Sequence, residues 1–142
     1  RWQSCVSQRG FGCLVAEIEG QVIGFTCWDE PTLAELAQER GQALADFAQK
    51  HGRSVVWLRE TCVAPDCQGN GVARRLKNAI VWHISGTERS YLVLTRLRDD
   101  NIGIIRLNES LGFRRTGIRV PSSQVSGLFH EYWYQEWYRG EW

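Results

Sequence analysis

Between an apolar run that ends at Val63 and a helix-patterned run that begins at Val72 lies Ala64-Pro65-Asp66-Cys67-Gln68-Gly69-Asn70-Gly71. No other stretch restricts the fold as much. Pro65 cannot continue a strand ladder, and Gly69 and Gly71 let the backbone turn through left-handed conformations. Before this junction, Ser54 to Val63 is rich in β-branched and apolar residues and reads as a central strand. After it, Val72, Leu76, Ala79, Ile80, His83 and Ile84 keep the three-and-four spacing of one buried helical face, with Gly86 placed to end it. Small residues at such a turn expose successive N–H groups, and a helix start adds partial positive charge. The segment Gln68-Gly69-Asn70-Gly71-Val72-Ala73 can therefore cradle a diphosphate, with Arg74 and Arg75 adding charge at the rim. On spacing alone, a plain chain reversal explains the glycines equally well.

The rest of the chain supplies a sheet and its covering helices. From Phe11 to Trp28, two apolar runs flank Glu19-Gly20-Gln21, which predicts a hairpin. Thr32 with Glu35 forms a capping-box pattern ahead of Leu33, Leu36, Leu44 and Phe47, and Gly52 follows as a stop. This predicts one helix of about five turns from Thr32 to Lys50, its stripe interrupted at Arg40 and Gly41. Tyr91 to Thr95 reads as a short strand, and Asn101 caps a helix that Gly112 ends. Strands from Phe113 to Val120 and from Leu128 to Tyr138 close the chain, separated by a turn around Pro121, Ser122 and Ser123. The string is β-β-α-β-α-β-α-β-β, an α/β mixed sheet with helices on its faces.

Composition excludes several functions. The 142 residues are the size of one domain. No apolar run approaches the roughly 20 residues of a membrane helix, so no membrane partner is expected. Seventeen basic against sixteen acidic residues leave no general field for nucleic acid. Cys5, Cys13, Cys27, Cys62 and Cys67 show neither disulfide-scaffold density nor metal-site spacing, and Arg1 to Gly10 lacks a secretory pattern. A reducing cytoplasm and no metal are expected. The chain has no methionine, so upstream residues are expected beyond its first position. Neither the GxxxxGK phosphate loop nor the GxGxxG dinucleotide fingerprint is present. Of seven tryptophans, any one is expected to serve core packing before a pocket wall or a dimer contact.

With those loops set aside, the chain resembles the GNAT superfamily of acyl-CoA N-acyltransferases. The family signature is Arg or Gln, two residues, Gly, one residue, then Gly or Ala, and Gln68, Gly71 and Ala73 match it. Val63-Ala64-Pro65-Asp66 is similar to the run that commonly precedes the signature, and Asn101 through Leu107 to Gly112-Phe113 resembles the second cofactor segment. The likeness spans roughly Phe11 to Tyr138. It implies a single N-acetyltransferase domain over 1–142, its N-terminal part missing or abbreviated, because the family usually has another strand and two helices before the first hairpin. It implies a mostly antiparallel central sheet whose parallel central strands, those from Ser54 and Tyr91, splay into a V. Acetyl-CoA would lie there as co-substrate, its pantetheine beside the backbone of Cys62 and Val63 and its diphosphate on the amides of Gly69 to Ala73.

Glu60, three residues before Val63, falls where many members carry a glutamate facing the acceptor amine, and is the expected general base. Its alternative is an ion pair with Arg59 or Arg96. Asn108 stands where a tyrosine often protonates the departing thiolate, and an amide is a very poor proton donor. Asn108 could still bind the sulfur while water or another side chain supplies the proton. An acyl-cysteine route through Cys62 or Cys67 lacks a histidine in the motif. The expected acceptor is a primary amine of a small molecule, attacked in a ternary complex, with Trp28, Asp29 and Glu30 either offering an aromatic wall and carboxylates to a cationic one or, equally, simply capping the helix that follows. A peptide or protein amino group is the alternative acceptor, and a non-catalytic acyl-CoA-binding module the alternative function. The aromatic strand Tyr132 to Tyr138 could pair with a second copy as a homodimer.

Overall fold

In the computed structural model the backbone is described for residues 2–8, 11–85 and 90–137, and side chains for 11–80 and 90–137. Seven strands form one sheet: β1 (Trp2–Gln8), β2 (Phe11–Ile18), β3 (Gln21–Asp29), β4 (Ser54–Val63), β5 (Tyr91–Arg98), β6 (Arg114–Pro121) and β7 (Phe129–Trp137). Four helices accompany them: α1 (Leu33–Arg40), α2 (Gln42–His51), α3 (Val72–Ser85) and α4 (Ile102–Ser110). The order across the sheet is β1-β2-β3-β4-β5-β7-β6, and every neighbouring pair is antiparallel except β4 with β5.

Local chemistry accounts for most of these elements. Glu19 and Gly20 both take positive φ, 51° and 78°, between the paired residues Ile18 and Gln21. That is the two-residue turn whose twist suits a hairpin. Thr32 accepts from Glu35 N–H at 3.1 Å while Glu35 accepts from Thr32 N–H at 3.2 Å, a complete capping box for α1.

Several expectations are corrected. The first strand begins at Trp2 rather than Phe11, because the backbone of 2–8 pairs along β2. The single helix from Thr32 to Lys50 is two, since Gly41 adopts φ 104° and ψ 154° and breaks the ladder. The five cysteines are not all thiols: Cys13 and Cys27, directly opposite on β2 and β3, form a disulfide, so the cysteine argument for a reducing compartment loses its basis. The last strand is interior, lying between β5 and β6, with Tyr132, Trp133 and Trp137 buried in the chain's own core. Its aromatic faces therefore do not offer the expected dimer edge. Gly86, Tyr138 and the side chain of His83 lie outside the described residues.

Two cores sandwich the sheet. On one face Leu14, Trp28, Val56, Val93 and Trp133 pack with Ile80 of α3 and Ile105 of α4. On the other, Val55, Trp57, Leu92, Leu94 and Tyr132 pack with Leu36, Leu44 and Ala48 of α1 and α2. Trp28 lies across Gly12, its partner on β2, and a Cβ at Gly12 would sit 2.2 Å from the indole ring. Gly12→Ala is thus expected to cost about 2 kcal/mol by overpacking, read as a lower urea midpoint. An unchanged midpoint would contradict this packing account.

Candidate functional site

The parallel ladder between β4 and β5 runs only from Ser54 opposite Tyr91 to Trp57 opposite Leu94. Beyond that point the strands part, and a cleft of about 420 Å³ opens between them, lined by Glu60 and Thr61 of β4, Thr95 and Arg96 of β5, and Lys77 of α3. Backbone polar groups freed from a ladder must find other partners, so a split between central strands is a natural place for a ligand arm.

An irregularity in β4 decides which way Glu60 faces. Trp28 pairs with Leu58 and Cys27 with Glu60, so Arg59 is an extra residue, a bulge. Leu58 packs in the core on the α3 side, and regular alternation would send residue 60 there too. The bulge reverses the parity. Thr61 now meets Thr26, hydroxyl to hydroxyl at 2.9 Å, and Glu60 turns with Cys27 toward the face that carries α1 and α2. Arg96 and Arg98 continue the alternation of Leu92 and Leu94, and His130 that of Tyr132, so all three share this face with Glu60.

The electrostatics of this face are cationic. Arg98 is held by Asp100 at 2.6 Å, Arg59 by Asp29 at 3.3 Å, and Arg40 lies over the Trp57 ring at 4.3 Å. Among the described residues neither Arg96 nor Glu60 has an ion-pair partner. The alternative of a Glu60 neutralised by Arg59 or Arg96 is thus not what the geometry gives. Burial holds the His130 imidazole below the ordinary histidine range, helped by the Arg96 and Arg98 guanidinium groups against Asp99 and Asp100. Its Nδ1 is buried without a hydrogen-bond partner. Trp28 is buried in the core and Asp29 is engaged by Arg59, so the expected wall of Trp28, Asp29 and Glu30 for a cationic acceptor does not form.

At the far end of β4, Cys62 and Val63 lead into the glycine loop. Gln68 folds back to donate from Nε2 to the Val63 carbonyl at 3.1 Å, and a short 3₁₀ turn spans Pro65–Cys67. Gly69 and Gly71 hold φ of 85° and 78°, and a Cβ at either would meet no protein atom within 4 Å. The bond from Arg75 N–H to Gly71 O opens the α3 ladder, leaving the amides of Val72, Ala73 and Arg74 without intrahelical acceptors. Open space beside unbonded amides at a helix start suits a diphosphate. Arg74 is exposed at the rim and donates to Ser110 Oγ at 2.7 Å, which ties α3 to α4.

The second segment is arranged differently from the first. Asn101 caps α4, its side chain accepting from Ile104 N–H at 3.3 Å, and lines the cleft. Asn108 is fully buried, donates to the Ile104 carbonyl at 2.8 Å and accepts from Lys77 Nζ at 3.0 Å. Both ends of the amide are engaged inside the chain. Lys77 itself escaped the sequence reading. Its signal is its place beside Leu76 and one turn before Ile80, on the stripe that α3 buries. No group of three or more potential metal ligands occurs among the described residues. No helix among them is long and apolar enough to cross a membrane.

The parallel central strands thus part beside a glycine turn and a helix start whose first amides have no intrahelical acceptors. Residues 9–115 match the acetyltransferase (GNAT) domain, and the chain belongs to that family. It is accordingly an N-acetyltransferase with acetyl-CoA as co-substrate. No curated protein matches it. Among solved structures it is similar to the ribosomal-protein-S18-alanine N-acetyltransferase of Escherichia coli, at 17% identity over 95% of this chain and 75% of that one, with a TM-score of 0.68. It is also similar to Arabidopsis thaliana NAA60 in complex with acetyl-CoA, at 17% identity over 89% and 76%, TM-score 0.67. The ribosomal-protein-alanine N-acetyltransferase of Brucella melitensis shares 21% identity over 88% and 68%, TM-score 0.65. At such identities the likeness shows the fold.

Proposed function

We propose that the chain transfers the acetyl group of acetyl-CoA to the primary amine of a small molecule by direct attack in a ternary complex, with Glu60 as general base. The observation that carries this is the unpaired Glu60 carboxylate, turned by the Arg59 bulge into a cleft that opens where β4 and β5 part. In this reading the backbone of Cys62 and Val63 lies beside the pantetheine arm, the amides from Gly69 to Ala73 hold the diphosphate, and Gln68, Arg74 and Asn101 shape the ends of the site. Holding both reactants removes the entropic barrier of their encounter. Glu60 takes a proton from the ammonium form of the acceptor and leaves a nucleophilic nitrogen. A backbone N–H near Val63 polarises the acyl carbonyl.

The cleft's charge narrows the amine. Around Glu60 stand Arg40, Arg96 and Arg98, and Arg96 has no carboxylate partner among the described residues. The acceptor we infer carries an acid group, a carboxylate or a phosphate, beside the amine. Coenzyme A release should therefore be faster with amino acids than with their carboxamides at low concentration, by about tenfold in KM. Arg96→Gln should erase that difference while leaving kcat for the carboxamides unchanged. Equal KM values for acid and amide in the unaltered chain would remove the anionic acceptor. Turnover confined to peptides or proteins would favour the amino-group acetyltransferase alternative, and binding of coenzyme A without turnover on any amine would favour a binding module.

A further inference from the structure

Lys77 lies outside the groups assigned so far to acetyl transfer. α3 buries it to 6% exposure, yet its side chain reaches the cleft wall. Nζ donates to Asn108 Oδ1 at 3.0 Å and lies 5.8 Å from the centre of the Phe113 ring. Beside Asn108, its hydrogen-bond partner, Leu58 and Thr61 of β4 and Thr95 of β5 line the cleft with it, and Phe113 and Gln135 line a smaller hollow that it also borders; none of them is charged. Of the charged and titratable groups that line the cleft, Glu60, Arg96, Arg98 and His130 sit toward the other face, Arg40 lies over the Trp57 ring there, and Arg59 is held by Asp29. Burial pushes the Lys77 ammonium down to about 8. An ammonium taken out of water with no carboxylate beside it is a poor structural choice, and such groups concentrate where chemistry uses them.

Asn108 gives the geometry its direction. Because its Nδ2 is committed to the Ile104 carbonyl at 2.8 Å, its Oδ1 is the end that faces Lys77. The amide thus holds the lysine at the split between the strands.

We propose that Lys77 is the proton donor to the sulfur that departs when the acyl group is transferred, and that Asn108 positions it. The inference rests on the acetyl-transfer reading above. As the bond between the amine nitrogen and the acyl carbon forms, the carbon–sulfur bond breaks and its electron pair passes to sulfur. One Nζ proton follows that pair, giving the thiol of coenzyme A and a neutral Lys77. The acceptor has already given one proton to Glu60 and sheds a second to water on becoming an amide. Glu60 passes its proton on to water and Lys77 takes one back, so that one turnover from the ammonium form releases a single proton overall. An ammonium that titrates near neutrality is suited to this work, because it is charged at physiological pH and gives its proton up readily.

The test reads the thiol directly. Part of the thiolate absorbance of coenzyme A bound to the unaltered chain should be displaced down to the Lys77 titration near 8, because thiol and ammonium there lose their first proton as a coupled pair. Lys77→Met should abolish that displacement while acetyl-CoA affinity stays within about threefold, and kcat should fall about 100-fold. The alkaline limb of kcat near 8 in the unaltered chain should vanish with it. Asn108→Leu keeps the ammonium without its guide and should reduce kcat less and shift that limb. An undisplaced thiol in the unaltered chain needs no variant to interpret and would overturn the proposal. So would a Lys77→Met chain with unchanged kcat and pH profile. Failure of the unaltered chain to bind coenzyme A at all would overturn the cofactor reading, and this inference with it.

Discussion

Glu60→Gln is expected to lower kcat by about 100- to 10,000-fold, the range that a positioned general base contributes, while acetyl-CoA affinity stays within about twofold. The substitution is isosteric and removes only the capacity to take a proton. Glu60 is exposed and has no ion-pair partner among the described residues, so its neutralisation leaves no buried cation behind and should not disturb folding. The glycine turn follows Val63 at the same end of β4, but none of its residues lines the cleft that Glu60 enters. A loss in kcat without a loss in binding is therefore the signature of the base, measured by steady-state release of coenzyme A beside a binding titration. Unchanged kcat would remove Glu60 from the mechanism, and parallel loss of both would assign it to the structure of the cleft.

Features set by neighbours in sequence could be read from the letters. The turn at Glu19 and Gly20, the Thr32 and Glu35 box, the glycine loop before α3 and the Asn101 cap each depend on residues within a few positions. Features set by register could not. β1 is held by backbone pairing with β2, and its letters carry no clear alternation of apolar residues. The Cys13 to Cys27 bond exists because the hairpin register puts those residues opposite each other. The bulge at Arg59 is decided by how β4 seats against β3, yet it alone determines whether Glu60 faces a core or a cleft. Lys77 and Asn108 are 31 residues apart and meet only when α3 and α4 pack on the same face. The glycine turn before α3 was thus legible, while the charges around Glu60 and the surroundings of Asn108 needed the fold.

The proposed site depends above all on the diphosphate cradle at the start of α3. A glutamate at Gly71 would put a side chain into open space, where nothing beyond its chain neighbours lies within 4 Å of its Cβ, and a negative charge where two phosphates should bind. The left-handed φ of 78° adds strain of about 1 kcal/mol or more, spent at an exposed turn and away from both cores. Calorimetric titration of acetyl-CoA into the unaltered chain and into Gly71→Glu is the measurement that bears most directly on it. Saturable binding by the first, weakened at least about 100-fold in the second with the circular dichroism spectrum retained, is the expected result. Equal affinity in the two chains would contradict the cradle.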